Sequence, residues 1–120
     1  MTVTPDIKER RRSVRLRPVP GLPARAHLPQ DGLDLEVWDV SVGGLAVVAP
    51  PQEDRLVPDT RHRLHLDLGR YGQFDFEVEV RHRSGDADGT IGMKIIDPPQ
   101  DTVSALGRYI GELLQRGALS

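Results

Sequence analysis

Apolar and polar residues alternate along most of this chain with the period of a half-buried strand. Ala24, Ala26 and Leu28 alternate with Arg25 and His27 between Pro23 and Leu28. After the turn signal Gln30-Asp31-Gly32, Leu33, Leu35 and Val37 alternate with Asp34, Glu36 and Trp38. Past the break at Gly43-Gly44, Leu45 to Ala49 reads as a short, more fully buried strand, and the two segments pair as a hairpin. Pro50-Pro51 through Pro58-Asp59 reads as loop. Leu64, Leu66 and Leu68 then alternate with Arg63, His65 and Asp67, and Gly69 and Gly72 bracket a tight connection. Phe74, Phe76, Val78 and Val80 alternate with Asp75, Glu77, Glu79 and Arg81; Ser84 to Gly89 turns the chain into Ile91, Met93 and Ile95, with Gly92, Lys94 and Ile96 on the other side. About six strands at such short spacing predict a small all-β barrel or sandwich.

After Asp97-Pro98-Pro99 the period changes. Val103, Leu106, Ile110, Leu113 and Leu114 fall on one face at helical spacing, with Asp101 as candidate N-cap and Gly117 as candidate stop. Gly107 and Gly111 each weaken a helix by roughly 1 kcal/mol relative to alanine, so they are read as marking close approach of its backbone to the sheet.

Composition narrows this picture. A chain of 120 residues has room for one domain with a modest core. Met1 to Lys8 lacks a sustained apolar pattern and reads as a loose tail, with order beginning near Glu9 and the domain running from residue 9 to residue 117. No apolar run is long enough to cross a bilayer and no apolar leader follows the start, so the expectation is a soluble, cytoplasmic protein without membrane insertion. The absence of cysteine excludes a disulfide framework, a thiolate nucleophile and cysteine-ligated metal centres. Among the first 25 residues seven basic side chains face two carboxylates, a net of +5, which leaves −7 on the remainder of a chain whose formal total is −2. A basic arm on an acidic body argues against coating nucleic acid and suits a local anionic ligand.

Two constellations carry chemistry. The first is the run Glu9-Arg10-Arg11-Arg12-Ser13-Val14-Arg15-Leu16-Arg17. Guanidinium forks match phosphate oxygens and the O6/N7 edge of guanine, and their flat faces stack on purines. By itself the run is equally readable as a solvated charged tail. The second is Asp39-Val40-Ser41-Val42-Gly43-Gly44, where one strand hands over to the next. An ionised Asp accepts from guanine N1–H and N2–H, a Ser hydroxyl reaches a phosphate or base edge, and glycines admit close approach of backbone. Taken alone it is equally an ordinary turn, with Asp39 and Ser41 bonded to nearby backbone and the glycines at positive φ.

In order and spacing the two together resemble the PilZ domain family, whose pattern is RxxxR followed by [D/N]xSxxG. Arg11 and Arg15 match the first motif; Asp39, Ser41 and Gly44 match the second. The resemblance extends to Gly92-Met93-Lys94-Ile95 and the closing helix. It implies a six-stranded antiparallel β-barrel closed by a C-terminal α-helix, which binds cyclic di-GMP without turning it over and needs no cofactor. By that resemblance Arg11 and Arg15 wrap the ligand as the arm orders over the barrel, while Asp39, Ser41, Gly43 and Gly44 hold a guanine from below. Arg10 adds a stacking face of the kind that accompanies a stacked ligand pair in the family. Arg81, on the polar face of its strand, joins the site set, with pairing to Glu79 or Glu77 as its competing role. Arg12 and Arg17 are read as solvated charges.

The remaining candidates resolve to structural roles. His62 and His65 sit three apart in a strand and so face opposite sides, which is wrong for sharing a metal. His27 and His82 have no evident carboxylate or serine partner, so no catalytic site is expected. Trp38 could stack a base, and as a half-buried strand residue it is read as packing. The expected function is that of a receptor module that passes its signal to a separate protein partner; the alternative is a PilZ-type adaptor that acts by protein interaction alone.

Overall fold

The computed structural model describes residues 15–50, 54–83 and 89–117. The tail 1–8, the start of order near Glu9, Arg10 to Arg12 and most of the turn from Ser84 lie outside the described residues. Six strands form a closed antiparallel barrel: β1 (Arg25–Leu28), β2 (Leu33–Val40), β3 (Gly44–Val48), β4 (Arg61–Asp67), β5 (Gln73–Arg83) and β6 (Thr90–Ile96), ordered β1-β2-β3-β6-β5-β4, with β1 pairing β4 to close it. A 3-10 turn at Gly69–Tyr71 joins β4 to β5, and helix α1 spans Gln100–Gln115.

Alternation builds the barrel. Leu35, Val37, Leu45, Val47, Leu64, Leu66, Phe76, Val78, Val80, Ile91, Met93 and Ile95 point inward and are buried together. Two extra residues interrupt that alternation. In β2 the register passes from Val37↔Val47 to Asp39↔Ala46, leaving Trp38 unpaired, and in β5 it passes from Val80↔Met93 to His82↔Gly92, leaving Arg81 unpaired. A bulge of this kind bends the strand and resets which residues face which side. Beyond Trp38, Val40 turns into the core while Asp39 turns to the outer face. β2 therefore continues through Asp39 and Val40, which the sequence reading placed in the following loop.

The N-terminal segment is fixed to β2 where Leu16 meets Val40. Leu16 N–H donates to Val40 O and Val40 N–H donates to Leu16 O, each at 2.9 Å, and the Leu16 side chain is fully buried.

Helix α1 differs in three respects from its expected form. Its N-cap is Pro99, which offers no side-chain cap, and Asp101 lies in the first turn, where its charge favours the positive end of the helix dipole. Its buried face is Thr102, Ala105, Leu106, Tyr109, Ile110 and Leu113, whereas Val103 and Leu114 are exposed. A Cβ added at Gly107 or Gly111 meets nothing within 4 Å, so neither glycine marks a close approach to the sheet. Gly117 does stop the helix, at φ +69.

Tyr109 anchors the helix. Its hydroxyl donates to Leu22 O at 2.7 Å, its ring meets Tyr71 edge to face at 5.9 Å, and burial pushes its pKa up to about 12. Glu112 ties the next turn to the same 3-10 segment: Arg70 and Tyr71 donate to its Oε1, and Arg116 Nη2 donates to its Oε2 at 2.9 Å. The bond from Arg70, then that from Tyr71, hold the Glu112 carboxyl down at about 2, against an ordinary value of 4.5.

A carboxyl depressed on folding contributes stability that is present above its unfolded pKa and is lost as pH falls through the folded value. Melting temperature followed from pH 5 to pH 2 should therefore decline in wild type partly through Glu112. Glu112→Gln should melt lower at pH 5 and lose less over that window; a parallel decline in both proteins would remove Glu112 from the acid transition.

Candidate functional site

The outer face of β2, β3, β6 and β5 carries a cleft of about 570 Å³. Its floor follows from strand register. Asp39 pairs with Ala46, Ala46 with Gly92 and Gly92 with His82, so one outward row crosses four strands. The two inner strands contribute only a methyl group and a hydrogen to this row, which keeps the floor low between a carboxylate at one end and an imidazole at the other. Both bulges serve it: without them, two-residue alternation would place Asp39 and His82 on the core side.

Arg15, Asp39, Ser41, Gly43, Gly44 and Arg81, all named from sequence, line this one cleft. Arg10 and Arg11 lie outside the described residues. Trp38, His82, Thr90, Met93 and Lys94 also line it. Of these, Lys94 sat within a segment already noted, whereas His82 had been set aside. The signal that would have found it is the strand register, which places it opposite Gly92 and which single-chain alternation does not disclose.

Asp39 is 6% exposed and Ser41 5% exposed, so both polar groups need partners. Arg15 Nη1 donates to Asp39 Oδ1 at 2.9 Å, an ion pair with its carboxylate buried and its guanidinium half-exposed. Ser41 closes the loop on itself: its N–H donates to Gly44 O at 2.9 Å and its hydroxyl reaches the same oxygen at 3.3 Å. The turn role considered for this loop thus holds for Ser41, while Asp39 bonds a side chain of the arginine segment.

Neither Gly43 nor Gly44 has positive φ. Gly44 is required for a different reason: a Cβ there would lie 2.4 Å from Met93 O across the β3 and β6 pairing. Gly43 donates no side-chain bulk to the cleft, and its carbonyl accepts from Ile95 N–H at 3.0 Å.

Arg81 has the Glu79 pairing weighed for it, its Nη1 lying 3.6 Å from Glu79 Oε1, and also borders the cleft. With Arg15 and Lys94 it gives the lining three permanent cations against the single carboxylate of Asp39, a balance that favours an anionic ligand. Arg17 is not a solvated charge. Its guanidinium carbon sits 3.4 Å from the centroid of the Trp38 ring, and its Nε is buried without a hydrogen-bond partner among the described residues.

The other histidines are elsewhere. His65 pairs outward with Asp75 at 2.9 Å, and the hydrogen bonds its ring donates to Asp75 and then to Gln73 raise its pKa above the ordinary value. His27 does have a carboxylate partner, Asp34 at 2.6 Å, supplied by the β1 and β2 register rather than by sequence proximity. His62 shares the inward parity of Leu64 and Leu66 and sits beside Thr60. Among the described residues no group of three ligating side chains could hold a metal, and no helix is long and apolar enough to cross a membrane.

The chain is thus a small closed antiparallel barrel with a C-terminal helix and a cationic cleft beside its N-terminal segment. A family model described as the PilZ domain matches residues 9–112, and the chain belongs to that family. No match was found among curated proteins. Among solved structures, Escherichia coli YcgR in complex with c-di-GMP is similar at a TM-score of 0.66 and 19% identity, over 86% of this chain and 45% of that one. The K. pneumonia MrkH complex with c-di-GMP gives 0.70 at 16% identity, over 86% and 51%. The PilZ domain of Escherichia coli YcgR with c-di-GMP gives 0.62 at 17% identity, over 86% and 90%. The chain spans about half the length of the first two, and at these identities the likeness is one of fold.

The geometry at the loop separates its two glycines. Gly44→Ala forces a methyl group against a backbone carbonyl and should destabilise the domain by about 1 to 3 kcal/mol in denaturant unfolding. Gly43→Ala, where an added Cβ meets nothing within 4 Å, should leave stability within about 0.5 kcal/mol of wild type. Equal effects at the two positions would show that the approach to Met93 is not the constraint.

Proposed function

We propose that this cleft binds cyclic di-GMP and that the domain is a cytoplasmic receptor for that second messenger, acting without turnover and without a cofactor. The observation that carries the reading is convergence: Arg15 from one motif and Asp39, Ser41, Gly43 and Gly44 from another line the same cleft. The cyclic di-GMP bound by the similar YcgR and MrkH structures supports the same ligand class.

In this reading the ligand exchanges partners with the pair already present. Arg15 turns from Asp39 to a phosphate or a guanine edge, and guanine N1–H and N2–H donate to the Asp39 carboxylate in its place. Arg81 and Lys94, which line the same cleft, add positive charge. Arg11 closes over the ligand from the preceding segment, and Arg10 supplies the face on which a second ligand molecule stacks. The closed segment is the new surface, read by a separate protein partner.

Titration calorimetry with cyclic di-GMP, GTP and a short DNA duplex tests this. Wild type should release heat with cyclic di-GMP and none with the duplex, and should bind GTP more weakly, because GTP brings one guanine where the cyclic dinucleotide brings two. Arg15→Ala and Asp39→Ala each remove a charge-assisted contact worth on the order of 1.5 to 3 kcal/mol, a weakening of roughly 10- to 150-fold. Absence of heat with cyclic di-GMP in the wild type would overturn the reading and leave an adaptor that works by protein contact alone. Binding to the duplex that collapses with salt would replace it with nucleic-acid contact.

A further inference from the structure

Trp38 is the extra residue of the β2 bulge, and it does two things at once. One face of its indole carries the Arg17 guanidinium at 3.4 Å, and the same side chain borders the cleft that holds Arg15, Asp39 and Ser41. Packing alone does not account for this placement. The side chain is only half-buried and does not join the barrel core. Arg17, for its part, leaves Nε buried without a hydrogen-bond partner among the described residues, so the ring contact is what holds the guanidinium in place.

We infer that Trp38 is a stacking wall of the ligand site, with Arg17 as its clamp. The inference rests on the cyclic di-GMP reading and deepens it. Asp39 follows Trp38 directly in β2, so a purine whose Watson–Crick edge reaches Asp39 brings its ring beside the indole. The guanidinium behind the ring acts twice: it keeps the indole from rotating away, and it draws π-electron density while adding positive charge behind a polyanion's binding face. Arg17 is thus a positioning residue and Trp38 the contacting one. A site built this way selects for a flat base as well as for phosphate charge.

Because Trp38 is the only tryptophan in the chain, its fluorescence reports this contact without labelling. The full-length protein should be titrated with cyclic di-GMP by calorimetry and by tryptophan emission. The expected result is a saturable change in emission with the dissociation constant measured calorimetrically. Trp38→Leu, which keeps an apolar side chain but removes the ring, should weaken binding roughly 5- to 150-fold, the range expected for one base on one aromatic side chain. Trp38→Phe should recover most of that affinity. Arg17→Ala should weaken binding less than Trp38→Leu and shift the emission of the free protein. Melting of each variant without ligand separates loss of the contact from loss of the fold. If Trp38→Leu proves unfolded, the wild-type emission titration decides by itself. Calorimetric binding with unchanged emission, or with full affinity in folded Trp38→Leu, overturns this inference and leaves the cyclic di-GMP reading intact. Absence of calorimetric binding in wild type overturns both.

Discussion

The single residue by which β2 exceeds its partner strand sets the parity of everything after it: with Trp38 left unpaired, Asp39 faces outward and Val40 faces the core. Were β2 regular, a carboxylate would enter a barrel lined by Leu, Val, Ile, Met and Phe, where an unpaired charge costs several kcal/mol. The bulge resolves that conflict and produces the site in the same step. Val40, turned inward, bonds to Leu16 through both backbone groups. Leu16, held there, places its neighbours on either side: Arg15 on Asp39 and Arg17 on Trp38. Core packing, the anchor of the basic segment and the buried ion pair all follow from one inserted position.

The bulge in β5 does the complementary work across the floor. It places Arg81 and His82 at the far side of a row whose middle members are Ala46 and Gly92. Two regular inner strands that place Ala46 and Gly92 at the middle of the row, flanked by two bulged strands with large polar residues, make a shallow trough. The trough needs no loop closure to exist, since hydrogen-bonded strands hold each wall. Gly44 completes it by letting β3 lie close enough to Met93 O for the pairing with β6 to continue to the edge of the loop.

The strands and the Asp39 to Gly44 motif were legible because period-two alternation is dictated by a one-sided core, and because short polar motifs are local. Leu33, Leu35, Val37 and the run from Phe74 to Val80 announce their faces residue by residue. The bulges were not legible. Val-Trp-Asp and Val-Arg-His contain no glycine or proline to signal an inserted residue, and the insertion exists only relative to a partner strand. That is why alternation leaves His82 without a place in the cleft, and why Arg17, read as solvated, lies on an indole. The helix face was legible in part: Leu106, Ile110 and Leu113 are buried as their spacing predicts, and the rest was not, for a related reason. Thr102 and Tyr109 are buried and Val103 and Leu114 exposed because Tyr109 finds its acceptor at Leu22, 87 positions away, and helical spacing carries no information about that contact.

The ion pair between Arg15 and Asp39 also determines what kind of ligand the cleft accepts in the proposed reading. A simple phosphate can attract Arg15, but taking it strands a carboxylate whose side chain is only 8% exposed, and a buried charge left without a partner is unfavourable. That penalty offsets part of what the new charge-assisted bond returns, so charge alone gains less than its contact suggests. A ligand that brings adjacent N–H donors for Asp39 together with an anionic group for Arg15 avoids the penalty and keeps both gains. Guanine joined to phosphate satisfies that condition. Adenine lacks an N1–H and a 2-amino group, and leaves Asp39 with an acceptor at the position where it needs a donor. In the proposed reading guanine is told from adenine at the buried carboxylate, while Arg15 and Arg81 supply attraction to any purine nucleotide alike.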